Sequence, residues 1–113
     1  MTPLPRIIRL FGELDIRSAR ELQATLSEAV GDRSRELSID LRKVSFIDST
    51  ALGALVRAAE QLRNQGRVLT LAVAGGSPVE GLLGVSGLTD RFAVVSDLPD
   101  TAPGSTPDPA AAA

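Results

Sequence analysis

Asp48-Ser49-Thr50 interrupts an apolar run that begins at Val44 and resumes at Ala51-Leu52 with helical spacing. This is the pattern of a strand that turns into a helix, with Ser49 at the helix entrance. The first backbone N–H groups of a helix have no partner inside it, so a hydroxyl placed there has three chemical uses. It can cap the helix, bind an anion, or carry a phosphate. One capping oxygen suffices, yet three capping-type residues stand in a row here, which leaves at least one hydroxyl spare. A phosphate on Ser49 would add about −1.5 to −2 of charge at pH 7. The positive end of the helix would tolerate that charge, so the fold should survive while a partner packing over Ala51 and Leu52 would be repelled.

Asp15 and Asp48 form a second constellation. Each comes directly after a strand candidate, and the ends of parallel strands line one rim, where ligands tend to bind. As an acid–base pair they lack a metal site or substrate-pocket signal beside them, and Asp15 could equally cap a turn or stay solvated. Gly75-Gly76-Ser77 precedes a helix but carries no Gly-Lys-Ser/Thr, so it reads as a turn and not as a phosphate cradle. Arg6, Arg9 and Arg17 are dispersed and read as a solvated face.

The elements that must position these residues are read from periodicity. Arg6–Phe11 is a strand candidate ended by Gly12-Glu13-Leu14-Asp15. Ser18 and Glu21 have capping-box spacing, with a buried stripe of Ala19, Leu22, Leu26 and Ala29 behind them and Gly31 as the stop. Leu37, Ile39 and Leu41 alternate as a second strand, and a short irregular link through Val44, Phe46 and Ile47 leads to Ser49. From Thr50 a helix buries Leu52, Leu55, Val56, Ala59 and Leu62 and ends at Gly66 in the left-handed conformation. Val68, Leu69, Leu71 and Val73 form a third strand. Ser77-Pro78-Val79-Glu80 starts a third helix that would bury Val79, Leu82, Leu83 and Val85. Phe92–Val95 is a fourth strand. The alternation predicts one α/β domain with a mostly parallel four-stranded sheet and helices packed on it, over residues 6–98. Residues 1–5 read as an N-terminal extension and 99–113 as a disordered Pro/Ala-rich tail.

Composition bounds the chemistry. The chain has 113 residues, 43% of them hydrophobic, and a net charge of −2. That suits one soluble domain and argues against nucleic acid, which wants a clustered basic face. It contains no His and no Cys, so zinc sites, thiol chemistry and histidine catalysis are unavailable. No run approaches the roughly 20 apolar residues of a membrane span, and no signal pattern opens the chain. The expectation is a cytoplasmic protein with no cofactor, no metal and no membrane contact.

Gly12-Glu13-Leu14-Asp15, Ile39-Asp40-Leu41, Val44–Gly53 and Gly87-Leu88-Thr89-Asp90-Arg91-Phe92, taken together, resemble the STAS domain and, more narrowly, the bacterial anti-sigma factor antagonists. The resemblance implies a non-enzymatic α/β domain. In that family the domain docks on an anti-sigma factor, usually a serine kinase with an ATP-binding fold, and so frees a sigma factor. The phosphorylated serine comes directly after the aspartate of this motif and maps onto Ser49, with Thr50 as a secondary candidate. A dedicated phosphatase reverses the modification. Asp15 and Asp48 match the acidic positions beside it, and Asp48, Ser49, Thr50, Ala51 and Leu52 match the partner-binding segment. A second reading is a STAS-type subunit or scaffold of a transporter or signalling complex that is never phosphorylated. Three departures from the family stand out. No full strand precedes Arg6, which would leave an edge open to a homodimer; Ala51 replaces a common Gly; and Pro99 with the tail replaces the closing helix.

Overall fold

The computed structural model describes residues 5–98 and 106–107. The chain forms β1 (Arg6–Leu14), α1 (Ile16–Gly31), β2 (Leu37–Ile47), α2 (Ser49–Asn64), β3 (Thr70–Ala72), α3 (Pro78–Ser86), a 3-10 turn at Thr89–Arg91, β4 (Ala93–Val95) and β5 (Thr106–Pro107). The sheet order is β4-β3-β2-β1-β5, and each neighbouring pair of strands is parallel. The four expected strands are thus present.

β1 to β4 lie side by side in chain order, and right-handed crossovers between them place α1, α2 and α3 on one face of the sheet. That face holds the main core. Ile8 and Leu10 of β1, Ile39 and Leu41 of β2 and Leu71 of β3 pack with Leu22, Leu26, Leu55, Leu62, Val79 and Leu83 of the helices. Residues of opposite parity face away from the helices. There Leu98 covers Ile7, Ala72 and Val95 in a small second cluster. The buried Asp40 carboxylate accepts from Arg42 Nε at 3.0 Å and Nη2 at 2.9 Å, with Arg9 Nε 3.8 Å away. Burial alone would raise the Asp40 pKa, but the Arg42 side chain and backbone N–H, with both guanidinium charges, hold it below the usual carboxylate value.

Several sequence expectations need correction. β1 does not stop at Phe11. It runs on to Leu14 because Gly12 adopts φ +73, a conformation a larger residue would resist. No irregular link separates Leu41 from Ile47 either, since β2 is continuous to Ile47. The register pairs Arg9 with Asp40, Phe11 with Lys43, Gly12 with Val44 and Glu13 with Phe46. β2 therefore carries an extra residue twice, and each β-bulge flips the facing of the residues beyond it. These bulges bury both Val44 and Ile47 and turn Phe46 outward.

The capping box of α1 lies one turn earlier than its expected Ser18–Glu21 position, with Asp15 as the cap. Val85 is 89% exposed instead of buried. In α3 the Glu80 carboxylate reaches back past Ser77 to the Gly76 N–H, at 3.0 Å. Within the stretch read as a structureless tail, Thr106 and Pro107 pair with Ile8 and Arg9. The outer edge of β1 is therefore not bare along its whole length, and the sheet has five strands; an unpaired edge takes up any extended segment that reaches it. The remainder of 99–113, and residues 1–4, lie outside the described residues.

Candidate functional site

All strands point the same way, so the starts of α1, α2 and α3 share the rim at the strand ends. Three helix N-termini, each with free N–H groups and the positive end of a dipole, lie along it. Their caps are Asp15, Asp48 and Ser77.

Asp48 comes directly after β2 in extended conformation, and its Oδ1 accepts the Ala51 N–H at 2.9 Å. Its own N–H donates to the Leu14 carbonyl at 3.0 Å. That bond, with Leu14 and Ile47 in register, sets the entrances of α1 and α2 side by side. The far end of α2 is closed as expected at Gly66, φ +74, where Gly66 N–H donates to Arg63 and Arg67 N–H to Leu62. This is a Schellman closure, which fixes the helix at both ends.

Ser49 and Thr50 are the first two residues of α2, and both are exposed. Neither hydroxyl makes a hydrogen bond among the described residues. Asp48 has taken the capping role, so the Ser49 hydroxyl is not used as the cap of α2.

Asp15 is wholly engaged. Its Oδ1 accepts the N–H of Arg17 at 3.0 Å and of Ser18 at 3.3 Å, and Oδ2 meets Arg17 Nη2 at 3.4 Å. Its slight burial works to raise the pKa, but the Ser18 and Arg17 amides and the Arg17 guanidinium outweigh it, so the carboxyl titrates below its usual value. A carboxylate tied to its own helix is a poor general base, which removes support from the acid–base pair. Among the described residues, no group of three or more His, Cys, Asp or Glu could hold a metal, and no helix is long and apolar enough to cross a membrane.

The structure thus brings Asp15, Asp48, Ser49 and Thr50 together on one rim. It removes Ala51 and Leu52 from the expected contact surface: they are 0% and 7% exposed and point into the core. The apolar side chains near the rim that a partner could touch are Ile16, 70% exposed, and Phe46, 48% exposed. Neither stands out in the sequence as a contact residue. A signal exists for Phe46: Val44 and Ile47, three apart in a strand, cannot both be buried without a bulge, and the bulge turns Phe46 out.

Residues 2–101 match the family model of the STAS domain. The chain is 31% identical over 98 residues to the anti-sigma-F factor antagonist RsfB of Mycobacterium tuberculosis, covering 87% of this chain and 79% of that one. It is 29% identical over 93 residues to the anti-sigma-B factor antagonist of Staphylococcus aureus, covering 82% and 76%. The fold superposes on the anti-sigma factor antagonist SpoIIAA in its unphosphorylated form with a TM-score of 0.63 at 21% identity, covering 88% of this chain and 86% of that one. For the phosphorylated form of the Bacillus protein the TM-score is 0.61 at 23% identity, covering 86% and 88%.

Proposed function

The chain belongs to the STAS-domain family, and from that premise we propose that it is an anti-sigma factor antagonist, switched off by phosphorylation of Ser49. One observation carries the reading: Asp48 caps α2, leaving the Ser49 hydroxyl exposed and unbonded among the described residues. The partner is an anti-sigma factor with an ATP-binding serine-kinase fold, and a phosphatase restores the free hydroxyl. The domain catalyses nothing itself.

The mechanism is one of charge. In the dephosphorylated state the rim offers neutral hydroxyls flanked by Phe46 and Ile16, and a partner can close over it and exclude water. A phosphate on Ser49 places about −1.5 to −2 beside the carboxylates of Asp48 and Asp15. The helix N-terminus stabilises that charge locally, so α2 keeps its structure. A partner surface must then desolvate a concentrated anion, and binding fails. Thr50 is the secondary acceptor.

Intact mass and phosphosite mapping after incubation with the cognate anti-sigma kinase and ATP test the reading. One added phosphate on Ser49, with loss of the complex, is the expected result. A stable complex with no added phosphate would favour the unphosphorylated scaffold instead.

A further inference from the structure

Ser49, Gly53 and Arg57 recur at four-residue intervals along α2, so they share one stripe of the helix. A Cβ built on Gly53 would stand 3.5 Å from Nη1 of Arg57. The guanidinium therefore lies back along α2 over the bare backbone of Gly53, in the N-terminal direction that helical side chains take. One turn further on is Ser49, its Cβ roughly 5–6 Å from the Cβ position of Gly53. Arg57 is exposed, forms no ion pair or hydrogen bond among the described residues, and borders the groove between α1 and α2 with Gln23, Ser27 and Gln61. The other charged groups of the two helix entrances and of the next turn of α2 are differently placed. Asp48 is the cap, Arg17 is drawn to Asp15, and Arg20 stands exposed on α1. Glu60, one turn beyond Arg57, is paired with Arg91.

We propose that Arg57 is the internal partner of the phosphate on Ser49, reached across Gly53. The proposal rests on the phosphoserine reading above and adds the residue that senses the modification. A guanidinium offers paired N–H donors that match phosphoryl oxygens, and such charge-assisted bonds are the strong ones. A cation beside the phosphate favours its dianion, so the second ionisation moves below its ordinary value of about 6. At neutral pH the group then carries its full double charge in a fixed place. Arg57 cancels only half of that charge, so repulsion of a partner persists.

The test uses the full chain with phosphoserine installed at position 49 during translation, so no kinase is involved, and tracks the phosphorus NMR shift against pH. R57Q should raise the second pKa of the phosphate by about 0.3 of a pH unit at low salt, and high salt should erase the difference. G53L, which fills the path but keeps the arginine, should do the same. R20Q, on the neighbouring helix, should leave the titration unchanged. Identical curves for the parent and R57Q would overturn the pairing, as would an equal shift in R20Q, which would reduce the effect to net charge. Failure of a kinase to label Ser49 would sink the switch and leave this measurement standing; a flat R57Q result would sink the pair and leave the switch.

Discussion

The entrances of α1 and α2 are built from the same parts and use them differently. Each begins with an aspartate directly after a parallel strand, and each carries a serine within its first turn. At α1 the serine is the third helical residue, where a side chain leaning back toward the N-terminus reaches the cap. Ser18 Oγ accepts the Asp15 N–H at 3.0 Å and its hydroxyl donates to the Asp15 carbonyl at 3.1 Å. At α2 the serine is the first helical residue, where no such reach exists. A hydroxyl at the third position is consumed by the fold, whereas one at the first is left for another molecule. Two residues of offset separate a serine bonded within its own helix entrance from one left exposed and unbonded among the described residues.

The largest expected effect belongs to the free serine. Ser49→Asp should weaken binding to the anti-sigma partner about 100-fold, roughly 2.7 kcal/mol, in a titration calorimeter, with the unfolding midpoint in urea unchanged. A Ser49→Asp chain that binds normally would break the contrast on the functional side, and one that unfolds would break it on the structural side. Next comes Asp40, a buried carboxylate between the same two strands that serves packing and not the rim. Asp40→Asn should cost about 1–3 kcal/mol at pH 7. The native carboxyl titrates below its usual value, so its contribution is complete above the unfolded value near 3.9 and is lost as pH falls through the native one. Urea unfolding at descending pH should therefore show the difference from the parent shrinking below about pH 4.

The two caps sharpen the comparison further. Removing a helix cap costs about 0.5–2 kcal/mol in general, and Asp48→Ala should fall in that range. Asp15→Ala should destabilise more than Asp48→Ala, because Asp15 accepts two backbone N–H groups against one for Asp48. Equal losses would mean that the second backbone N–H accepted by the Asp15 carboxylate adds nothing. The smallest effects come from the serines themselves. Ser18→Ala should cost about 0.5–1 kcal/mol and spare binding, whereas Ser49→Ala should move neither stability nor affinity beyond a few tenths of a kcal/mol. Chemical denaturation and the same binding titration read both.

Much of the fold is legible in the sequence because helices and their ends are local. The stripe from Ala19 to Ala29, a capping residue among Asp48, Ser49 and Thr50, Gly66 as terminator and Ser77-Pro78 as starter all lie within a few residues of what they stabilise. The misreadings share a different cause. β1 passing through Gly12, the two bulges of β2 and the outward Phe46 depend on how one strand lies against another. Ser18 resembles a cap because its spacing to Glu21 is right; the strand actually ends at Leu14, and the helix begins there.

The amino-acid sequence by itself determined that a strand, a spare hydroxyl and a helix meet at Ser49, because caps and periodicity act over one or two turns. Only the tertiary structure decided which groups surround that hydroxyl. The Asp48–Leu14 hydrogen bond joins residues 34 positions apart and brings the Asp15 entrance beside it. The parallel order of the strands gathers three helix N-termini on one rim. Packing sends Ala51 and Leu52 inward and leaves Ile16 and Phe46 outside. Long-range pairing sets these relations, and no short window of sequence contains both of its partners.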